Sequence, residues 1–260
     1  MPTPRVLILR APGTNCDHET AHAFELAGGA PELVHINQLL EDPSLPSGYQ
    51  ILCLPGGFSY GDDIAAGRIL GNQIRHHLQQ TLADFKEAGK LVLGICNGFQ
   101  ILMNSGILLP DAESGTSATL TWNDSGKFED RWVNLATGSE NCVFLQGIET
   151  MYLPVAHAEG KFVTRDQTML DTLNGAGQLA LRYAPLNGST DGVPYPDNPN
   201  GSELHVAGVC DPTGRVLGLM PHPERHVDPT HHPRWTREGL KEQADGLKMF
   251  QNAVGFFAAD

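Results

Sequence analysis

The sequence predicts an α/β fold, namely a doubly wound, mainly parallel sheet with helices on both faces and an antiparallel extension. Up to residue 95, short apolar runs alternate with segments that have the one-sided apolar spacing of helices. Regular alternation of strand and helix is typical of a parallel sheet. From residue 120 to 165, the apolar runs are short and are separated by turn residues, as in antiparallel strands.

In the parallel part, the helices end at glycines. Gly28 and Gly29 close the first helix and Gly89 closes the second, because glycine favours the backbone that ends a helix. The strand at 51–54 runs into a loop at 55–57. In chain order the predicted elements are strand Val6–Leu9, a helix from near Asp17 to Ala27, strands Leu33–Ile36 and Ile51–Leu54, helix Ile69–Glu87 and strand Leu91–Ile95.

The second half predicts a hairpin, a long loop and a closing helix. Residues 211–214 form a turn sequence between two apolar runs, and residues 184–203 are dense in Pro, Gly, Asn and Asp, which predicts a long loop. The predicted strands are Trp132–Leu135, Cys142–Leu145, Tyr152–Ala156, His205–Val209 and Val216–Met220. The closing helix is indicated by apolar residues at helical spacing: Leu240, Ala244, Leu247, Phe250, Val254 and Phe257. With no repeat and no charged linker, residues 1–260 are predicted to form a single domain.

Charge and cysteine content limit the class of partner. A formal net charge of −13 over 260 residues argues against nucleic acid or an anionic membrane, since both select basic patches. The five cysteines include no C-x-x-C pair and suit a reducing compartment. The apolar stretch near the N-terminus is too short for a signal peptide or a membrane span. These features predict a soluble cytoplasmic protein.

Cys96 is the first candidate catalytic residue. It lies between Gly94 and Gly98, where an apolar strand gives way to a helical pattern, in the outline of the G-x-S-x-G nucleophile elbow. Such a turn is tight and leaves no room for side chains at the two glycine positions. It also puts the nucleophile at a helix N-terminus, where the macrodipole favours a thiolate. The alternative is a core cysteine that only packs.

His222 and Glu224 are the candidate base and its partner. They follow a predicted strand, and residues two apart in an extended segment point the same way. Glu224 could then hold one ring nitrogen of His222 while the other faces Cys96, as in a set of nucleophile, base and orienter. An isolated His-x-Glu would more simply belong to a solvated loop, but the elbow cysteine favours catalysis.

A cluster of histidines, His222, His226, His231 and His232, raises the alternative of a metal site. Their spacing, interrupted by prolines and without a cysteine, differs from that of zinc ligands, so no metal is predicted. Residues 56–68, GGFSYGDDIAAGR, lack the Gly-Lys-Ser/Thr ending of a phosphate loop. They are predicted to be an oxyanion loop in which the N–H of Gly57 lies beside that of Asn97. The alternative is a plain strand-to-helix turn.

With Cys96, His222 and Glu224 in that order, the sequence resembles the class I, or triad-type, glutamine amidotransferases. It resembles in particular the glutaminase components of phosphoribosylformylglycinamidine synthase, the PurQ type. The motifs that carry the resemblance are PGTNCD (12–17), LPGGFSYGDD (54–63), LGICNGFQIL (93–102), PVAHAEGKF (154–162) and GLMPHPER (218–225). The resemblance extends to about residue 225, and sister amidotransferases lack the GGFSYGD stretch.

The resemblance implies a flavodoxin-like architecture and the role of each motif residue. Cys96 would be the nucleophile, His222 the base and Glu224 its partner. The backbones of Gly57 and Asn97 would bind the oxyanion. Gln100 would help to hold the substrate, L-glutamine. Where this chain has Ala158, the family usually has glycine, so the resemblance requires a negative φ at that residue.

The resemblance also implies a reaction and partners. L-glutamine would be hydrolysed through a cysteinyl thioester, and the ammonia would pass to an ATP-dependent synthetase that makes formylglycinamidine ribonucleotide in de novo purine (IMP) biosynthesis. This chain has no ATP motif and is expected to carry no cofactor, so ATP and Mg would be used by the partner. That partner would be a large synthetase subunit of the PurL type, joined by a small bridging subunit of the PurS type.

Other functions are compatible with the same motifs. Two alternative functions are enzymatic: a glutaminase that serves another synthetase, or a thiol hydrolase on the same fold. Outside enzymes, the alternative is an activator that keeps the fold with an incidental thiol. The complete set of cysteine, histidine and glutamate argues against the activator, and the stretches at 56–63 and 156–162 argue against a general thiol hydrolase.

Overall fold

The computed structural model describes residues 3–109 and 116–258, and the predicted domain limits at 1 and 260 lie outside them. The strands are β1 (Arg5–Arg10), β2 (Ala30–His35), β3 (Ile51–Leu54), β4 (Leu91–Ile95), β5 (Ala118–Thr121), β6 (Glu129–Thr137), β7 (Thr150–His157), β8 (Lys161–Thr164), β9 (Leu181–Ala184), β10 (Val206–Cys210) and β11 (Val216–Leu219). The helices are α1 (Asp17–Leu26), α2 (Ile36–Glu41), α3 (Arg68–Gln73), α4 (Gln79–Glu87), α5 (Asn97–Ser105), α6 (Gln167–Gly175), α7 (Trp235–Glu238) and α8 (Leu247–Phe256).

Nine of the described strands form one sheet, in the order β2-β1-β3-β4-β11-β10-β9-β6-β7. The strands from β2 to β11 in this order are parallel to one another. The strands from β10 to β7 extend the sheet by antiparallel pairing. Strands β5 and β8 form a separate antiparallel pair. The predicted fold class is therefore confirmed, and so is the hairpin of β10 and β11.

The central strands β3 and β4 are covered on both faces of the sheet. Successive side chains of a strand point to opposite faces, yet every residue of both strands is buried. Burial on both faces is the reason that these strands read as unbroken apolar runs in the sequence.

The helical regions follow the predictions less closely than the strands do. The predicted helix 69–87 is helical throughout, but a π-helical segment, Ile74–Leu78, separates α3 from α4. Helix α6 and strand β9 were not predicted. The segment between β9 and β10 contains only the short 3₁₀ turn Glu203–His205, which agrees with the long loop predicted at 184–203. None of the described helices is both long enough and apolar enough to cross a lipid bilayer.

The predicted strand Cys142–Leu145 is wrong. Its apolar residues form a single 3₁₀ turn, Val143–Leu145, in which Phe144 is fully buried. The carbonyl oxygen of Phe144 accepts a hydrogen bond from Asn252 in α8. A short apolar run can be buried under a helix as well as inside a sheet, and periodicity does not distinguish the two cases.

The closing helix is shorter than predicted. Helix α8 begins at Leu247, and the segment that contains Leu240 is not helical. That segment is held instead by a tertiary contact, since the carboxylate of Asp245 accepts a hydrogen bond from the backbone N–H of Tyr152. The helical spacing of apolar residues therefore continued beyond the helix itself.

Candidate active site

Cys96 lies at the sharp turn between β4 and α5, with φ +51° and ψ −105°. A non-glycine residue in such a conformation carries a strain of about 1–3 kcal/mol, and this strain is found preferentially at functional sites. Hydrogen bonds hold the turn, because the Cys96 N–H donates to Leu219 and the Cys96 carbonyl oxygen accepts from Phe99 and Gln100. The thiol is buried and lies 3.7 Å from the carbonyl oxygen of Ala156.

The two glycines beside Cys96 are required by close backbone contacts. A Cβ atom at Gly98 would lie 1.8 Å from the carbonyl oxygen of Leu54 in β3. A Cβ atom at Gly94 would lie 2.7 Å from the carbonyl oxygen of Gly98. The elbow turn predicted from the sequence is therefore present, and the helix that follows it packs directly against the sheet.

His222 and Glu224 follow β11, which pairs in parallel with β4. The His222 Nδ1 atom is 2.6 Å from Glu224 Oε1, and both residues are buried, with a relative exposure of 1% each. The two residues are not in an extended segment as predicted, because Pro223–Arg225 form a 3₁₀ turn. The turn nevertheless brings the two side chains together. Nε2 of His222 is buried and has no hydrogen-bond partner in the described structure.

The charges around His222 favour its protonated form. Burial by itself lowers the pKa of His222, because a charged ring is poorly solvated there. The negative charges of Glu224 and of an ionised Cys96 act in the opposite direction and hold the pKa of His222 well above its ordinary value. His222 can therefore carry a proton as an imidazolium, which places a proton donor at the same site as the candidate nucleophile Cys96.

The backbone amides predicted to bind an oxyanion donate to no acceptor in the described parts of the chain. Gly57 has φ +148° and forms an isolated bridge with Thr14. The two hydrogen bonds of this bridge are donated by the neighbouring residues: the Asn15 N–H donates to the Gly56 carbonyl oxygen, and the Phe58 N–H donates to the Gly13 carbonyl oxygen. The Gly57 N–H therefore remains available. Asn97 is the first residue of α5, and the first N–H groups of a helix have no acceptor within it.

The side chain of Gln100, the residue predicted to hold substrate, has protein partners at both polar atoms. Its Nε2 atom donates to the carbonyl oxygen of Glu159 at 2.5 Å, and its Oε1 atom accepts from Asn97 at 2.9 Å. Gln100 therefore ties α5 to the segment that follows β7. A role in binding glutamine stays a prediction, carried by the position of Gln100 one helical turn after Cys96.

The segment after β7 is organised by Asn123. Its Oδ1 atom is 3.1 Å from the His157 Nδ1 atom and accepts from the Gly160 N–H, while its Nδ2 atom donates to the His157 carbonyl oxygen.

Among the described non-glycine residues, positive φ occurs only at five positions, and Ala158 is not one of them. Ala158 therefore does not have a positive φ, which is the condition that the resemblance sets for an alanine where the family usually has glycine.

Cys16 is a neighbour of the candidate triad that sequence reasoning missed. Its Sγ atom accepts a hydrogen bond from the Arg225 guanidinium at 3.1 Å. Potential ligand atoms of Cys16, His222 and Glu224 lie within 4.8 Å of one another. A signal was present, since Cys16 is part of the PGTNCD motif, but nothing in the sequence connects residue 16 with residue 222.

The remaining histidines of the cluster are not gathered around His222. The rings of His226 and His232 are 5.9 Å apart and pack with Trp132 and Tyr152. His226 Nδ1 is 2.8 Å from the carbonyl oxygen of Tyr152. These rings therefore belong to an aromatic cluster on β6 and β7. The absence of a metal site stays a prediction.

Comparisons with known proteins agree with the arrangement of these residues. A family model described as the CobB/CobQ-like glutamine amidotransferase domain matches residues 3–257. The chain is 51% identical over 251 residues to the phosphoribosylformylglycinamidine synthase subunit PurQ of Dehalococcoides mccartyi, which covers 96% of each chain. It is 40% identical over 266 residues to the subunit of the same name from Methanococcus maripaludis, covering 98% of each.

A solved structure is similar over the same extent. One chain in the structure of PurLQS from Thermotoga maritima superposes with a TM-score of 0.74 and 32% sequence identity. The match covers 98% of this chain and 100% of that one. Because the family model and these relatives match nearly the whole length, the chain belongs to the family of CobB/CobQ-like glutamine amidotransferase domains.

Proposed function

We propose that this protein is the glutaminase subunit of a phosphoribosylformylglycinamidine synthase. The observation that carries the proposal is the buried pair of His222 and Glu224 beside the strained elbow residue Cys96. The printed names of the PurQ relatives and of the PurLQS structure give the synthase in which such a subunit works.

The reaction begins at the side-chain amide of L-glutamine. The Cys96 thiolate attacks the amide carbon, and the oxygen becomes an oxyanion that the N–H groups of Gly57 and Asn97 stabilise. The protonated ring of His222 then donates its proton to the departing nitrogen, and ammonia leaves. The raised pKa of His222 suits this step, because the ring already carries the proton that is needed.

Hydrolysis of the thioester completes the cycle. His222, now neutral, takes a proton from water as the water attacks the thioester carbon, and Cys96 leaves as a thiolate. Glu224 holds the ring through Nδ1 and compensates its positive charge in both steps. The products are glutamate and ammonia.

Ammonia is then consumed by a partner. We assign the ATP- and Mg-dependent formation of formylglycinamidine ribonucleotide to a large synthetase subunit of the PurL type, with a small bridging subunit of the PurS type. The support is that the match to PurQ extends over nearly the whole of both chains.

The direct test is to mix the chain with a PurL-type subunit and a PurS-type subunit and to measure glutamate and ADP together. We expect both products only when glutamine, ATP and formylglycinamide ribonucleotide are all present, in equal amounts. Release of glutamate with no formation of ADP, when glutamine, ATP and formylglycinamide ribonucleotide are all present, would favour a glutaminase that serves another synthetase. Hydrolysis of peptides or esters in preference to glutamine would favour the thiol hydrolase.

A further inference from the structure

The two amides assigned to the oxyanion come from different parts of the chain. Gly57 lies in the loop after β3, and Asn97 begins α5 after β4. A hydrogen bond from each amide to one oxygen requires their relative position to be correct within a fraction of an ångström. Something must therefore hold the loop against the helix.

The side chain of Asn97 makes that connection. Its Oδ1 atom accepts a hydrogen bond from the Ser59 N–H at 3.2 Å, and its Nδ2 atom donates to Asp62 Oδ1 at 3.1 Å. Asn97 is 2% exposed, so its own side of both hydrogen bonds is buried. The residue whose backbone supplies one oxyanion donor thus binds, through its side chain, the loop that supplies the other donor.

Asp62 closes the loop on itself as well as on the helix. Tyr60, Gly61 and Asp62 are three consecutive residues with positive φ, of 54°, 71° and 52°. For the two non-glycine residues this conformation is strained, so other contacts must maintain it. Asp62 Oδ1 provides one such contact, because it also accepts from the Gly67 N–H at 3.2 Å.

Apart from the hydrogen bonds that Asp62 accepts, its surroundings disfavour the negative charge of its carboxylate. Burial raises the pKa of Asp62, and the negative charges of Glu159 and Asp63 act in the same direction. The hydrogen bonds from Gly67 and Asn97 oppose these effects. The hydrogen bonds that order the loop therefore also hold the Asp62 carboxylate at a position where its negative charge is disfavoured.

We propose that the side chains of Asp62 and Asn97 form a latch that aligns the Gly57 N–H with the Asn97 N–H. The latch makes Asp62 a positioning residue, which acts on the oxyanion through the loop without touching the substrate. This inference rests on the proposed function in taking Cys96 as the nucleophile and the N–H groups of Gly57 and Asn97 as the oxyanion donors.

The test compares two reactions of Cys96 that differ in their need for an oxyanion hole. Acylation by p-nitrophenyl acetate passes through a tetrahedral oxyanion, whereas alkylation by iodoacetamide displaces iodide at a saturated carbon and forms none. Both rates are measured at Cys96, by p-nitrophenolate release corrected with Cys96→Ala and by mass spectrometry of the alkylated peptide. Their ratio cancels changes in access to the thiol.

Asp62→Ala should lower the ratio of acylation to alkylation by about tenfold or more, and lower kcat for glutamine by ~10²–10³-fold with little change in KM. Asp62→Asn should restore most of both, because its amide oxygen still accepts from Gly67 and Asn97. The matched control is Asp63→Ala, which removes an exposed carboxylate from the same loop and should lower neither, because the charge of Asp63 opposes that of Asp62.

An unchanged ratio in Asp62→Ala, or an equal fall in Asp63→Ala, would overturn the latch. If the fall in acylation were matched by an equal fall in alkylation, Asp62 would act on the thiol and the latch would also be wrong. The proposed function fails separately, if the unmodified complex releases no glutamate from glutamine while its ratio of acylation to alkylation still responds to Asp62.

Discussion

The backbone N–H of Cys96 donates a hydrogen bond to the carbonyl oxygen of Leu219, at 2.7 Å. Leu219 is the last residue of β11, and Ile95, its partner in the parallel register, is the last residue of β4. The bond therefore joins the nucleophile turn to the strand that leads directly to His222. Because the carboxyl ends of parallel strands lie at one edge of a sheet, two segments far apart in sequence meet there.

Replacing the proposed nucleophile should separate the two half-reactions of the complex. We expect Cys96→Ala to abolish amidine synthesis from glutamine and to leave synthesis from ammonium salt unchanged, because the thiol acts only in releasing ammonia. Product formation with each nitrogen source measures the effect. Equal loss with both sources would mean that Cys96 has a structural role.

The base and its partner should differ in importance. His222→Ala should be nearly as damaging as Cys96→Ala, since Nε2 of His222 is buried and has no hydrogen-bond partner among the described residues, so it is the nitrogen left to move the proton. Glu224→Gln should be milder, although loss of an orienting carboxylate can reach ~10⁴-fold in related triads. The measurement is trapping of the thioester formed with labelled glutamine. Wild-type amounts of thioester in either variant would remove that residue from the mechanism.

Gly57→Ala should reduce turnover through the oxyanion loop. A Cβ atom at Gly57 would lie 2.8 Å from both the Asn15 nitrogen and the Gly13 oxygen, so the loop must shift. Loss of one oxyanion donor is worth ~10²–10³-fold in kcat. Gly126→Ala is the control, because Gly126 also has positive φ but nothing lies within 4 Å of its Cβ position. Similar kcat values in the two variants would contradict the assignment of Gly57.

The stability of the protein should depend on His157 at mildly acidic pH. Burial, followed by the charge of His222, lowers the pKa of His157 to about 3. Between about pH 6.5 and pH 3, the unfolded chain therefore binds a proton at this position that the folded protein does not, and the free energy of unfolding falls as pH falls. Above this window the ring is neutral in both states and the effect disappears.

His157→Gln should remove this dependence, which amounts to at most about 1.4 kcal/mol per pH unit. Urea unfolding at pH 7, 6 and 5 should show the wild-type protein losing stability relative to His157→Gln as pH decreases. His76→Gln, at an exposed position, is the control and should show a constant difference from wild type. A constant difference for His157→Gln as well would show that His157 does not stay neutral in the folded protein.

The isolated chain should hydrolyse glutamine more slowly than the complex, because a free glutaminase would lose its ammonia to solvent. The oxyanion loop contains strained residues, and docking of the synthetase beside it could stabilise the competent conformation. An activation of ~100-fold needs only about 2.7 kcal/mol of preferential binding. Steady-state glutamate release with and without the partner, in the presence of ADP, measures this. Equal rates would exclude gating by the partner and leave the triad unaffected.

Much of the fold could be predicted because the parallel strands are buried on both faces. The limits of β3 and β4 have the same residue numbers as the predicted runs, since an apolar run of four or five residues has no other place in such a sheet. Where an apolar run could be buried in more than one way, prediction failed. Residues 142–145 became a turn under α8, and the helical spacing around Leu240 did not produce a helix.

The sequence by itself was sufficient to predict the chemistry proposed for the site. Glycines at 94 and 98 specify a tight turn around Cys96, and prolines on both sides of His222 keep it out of a regular helix, so local steric constraints are sufficient. It could not determine which groups surround that chemistry. The contact of Cys16 with Arg225 and the bond between Asp62 and Asn97 join residues that are far apart along the chain. Only the pairing of strands in the folded sheet brings such residues within hydrogen-bonding distance, because side-chain bonds of this kind leave no periodic pattern in the sequence.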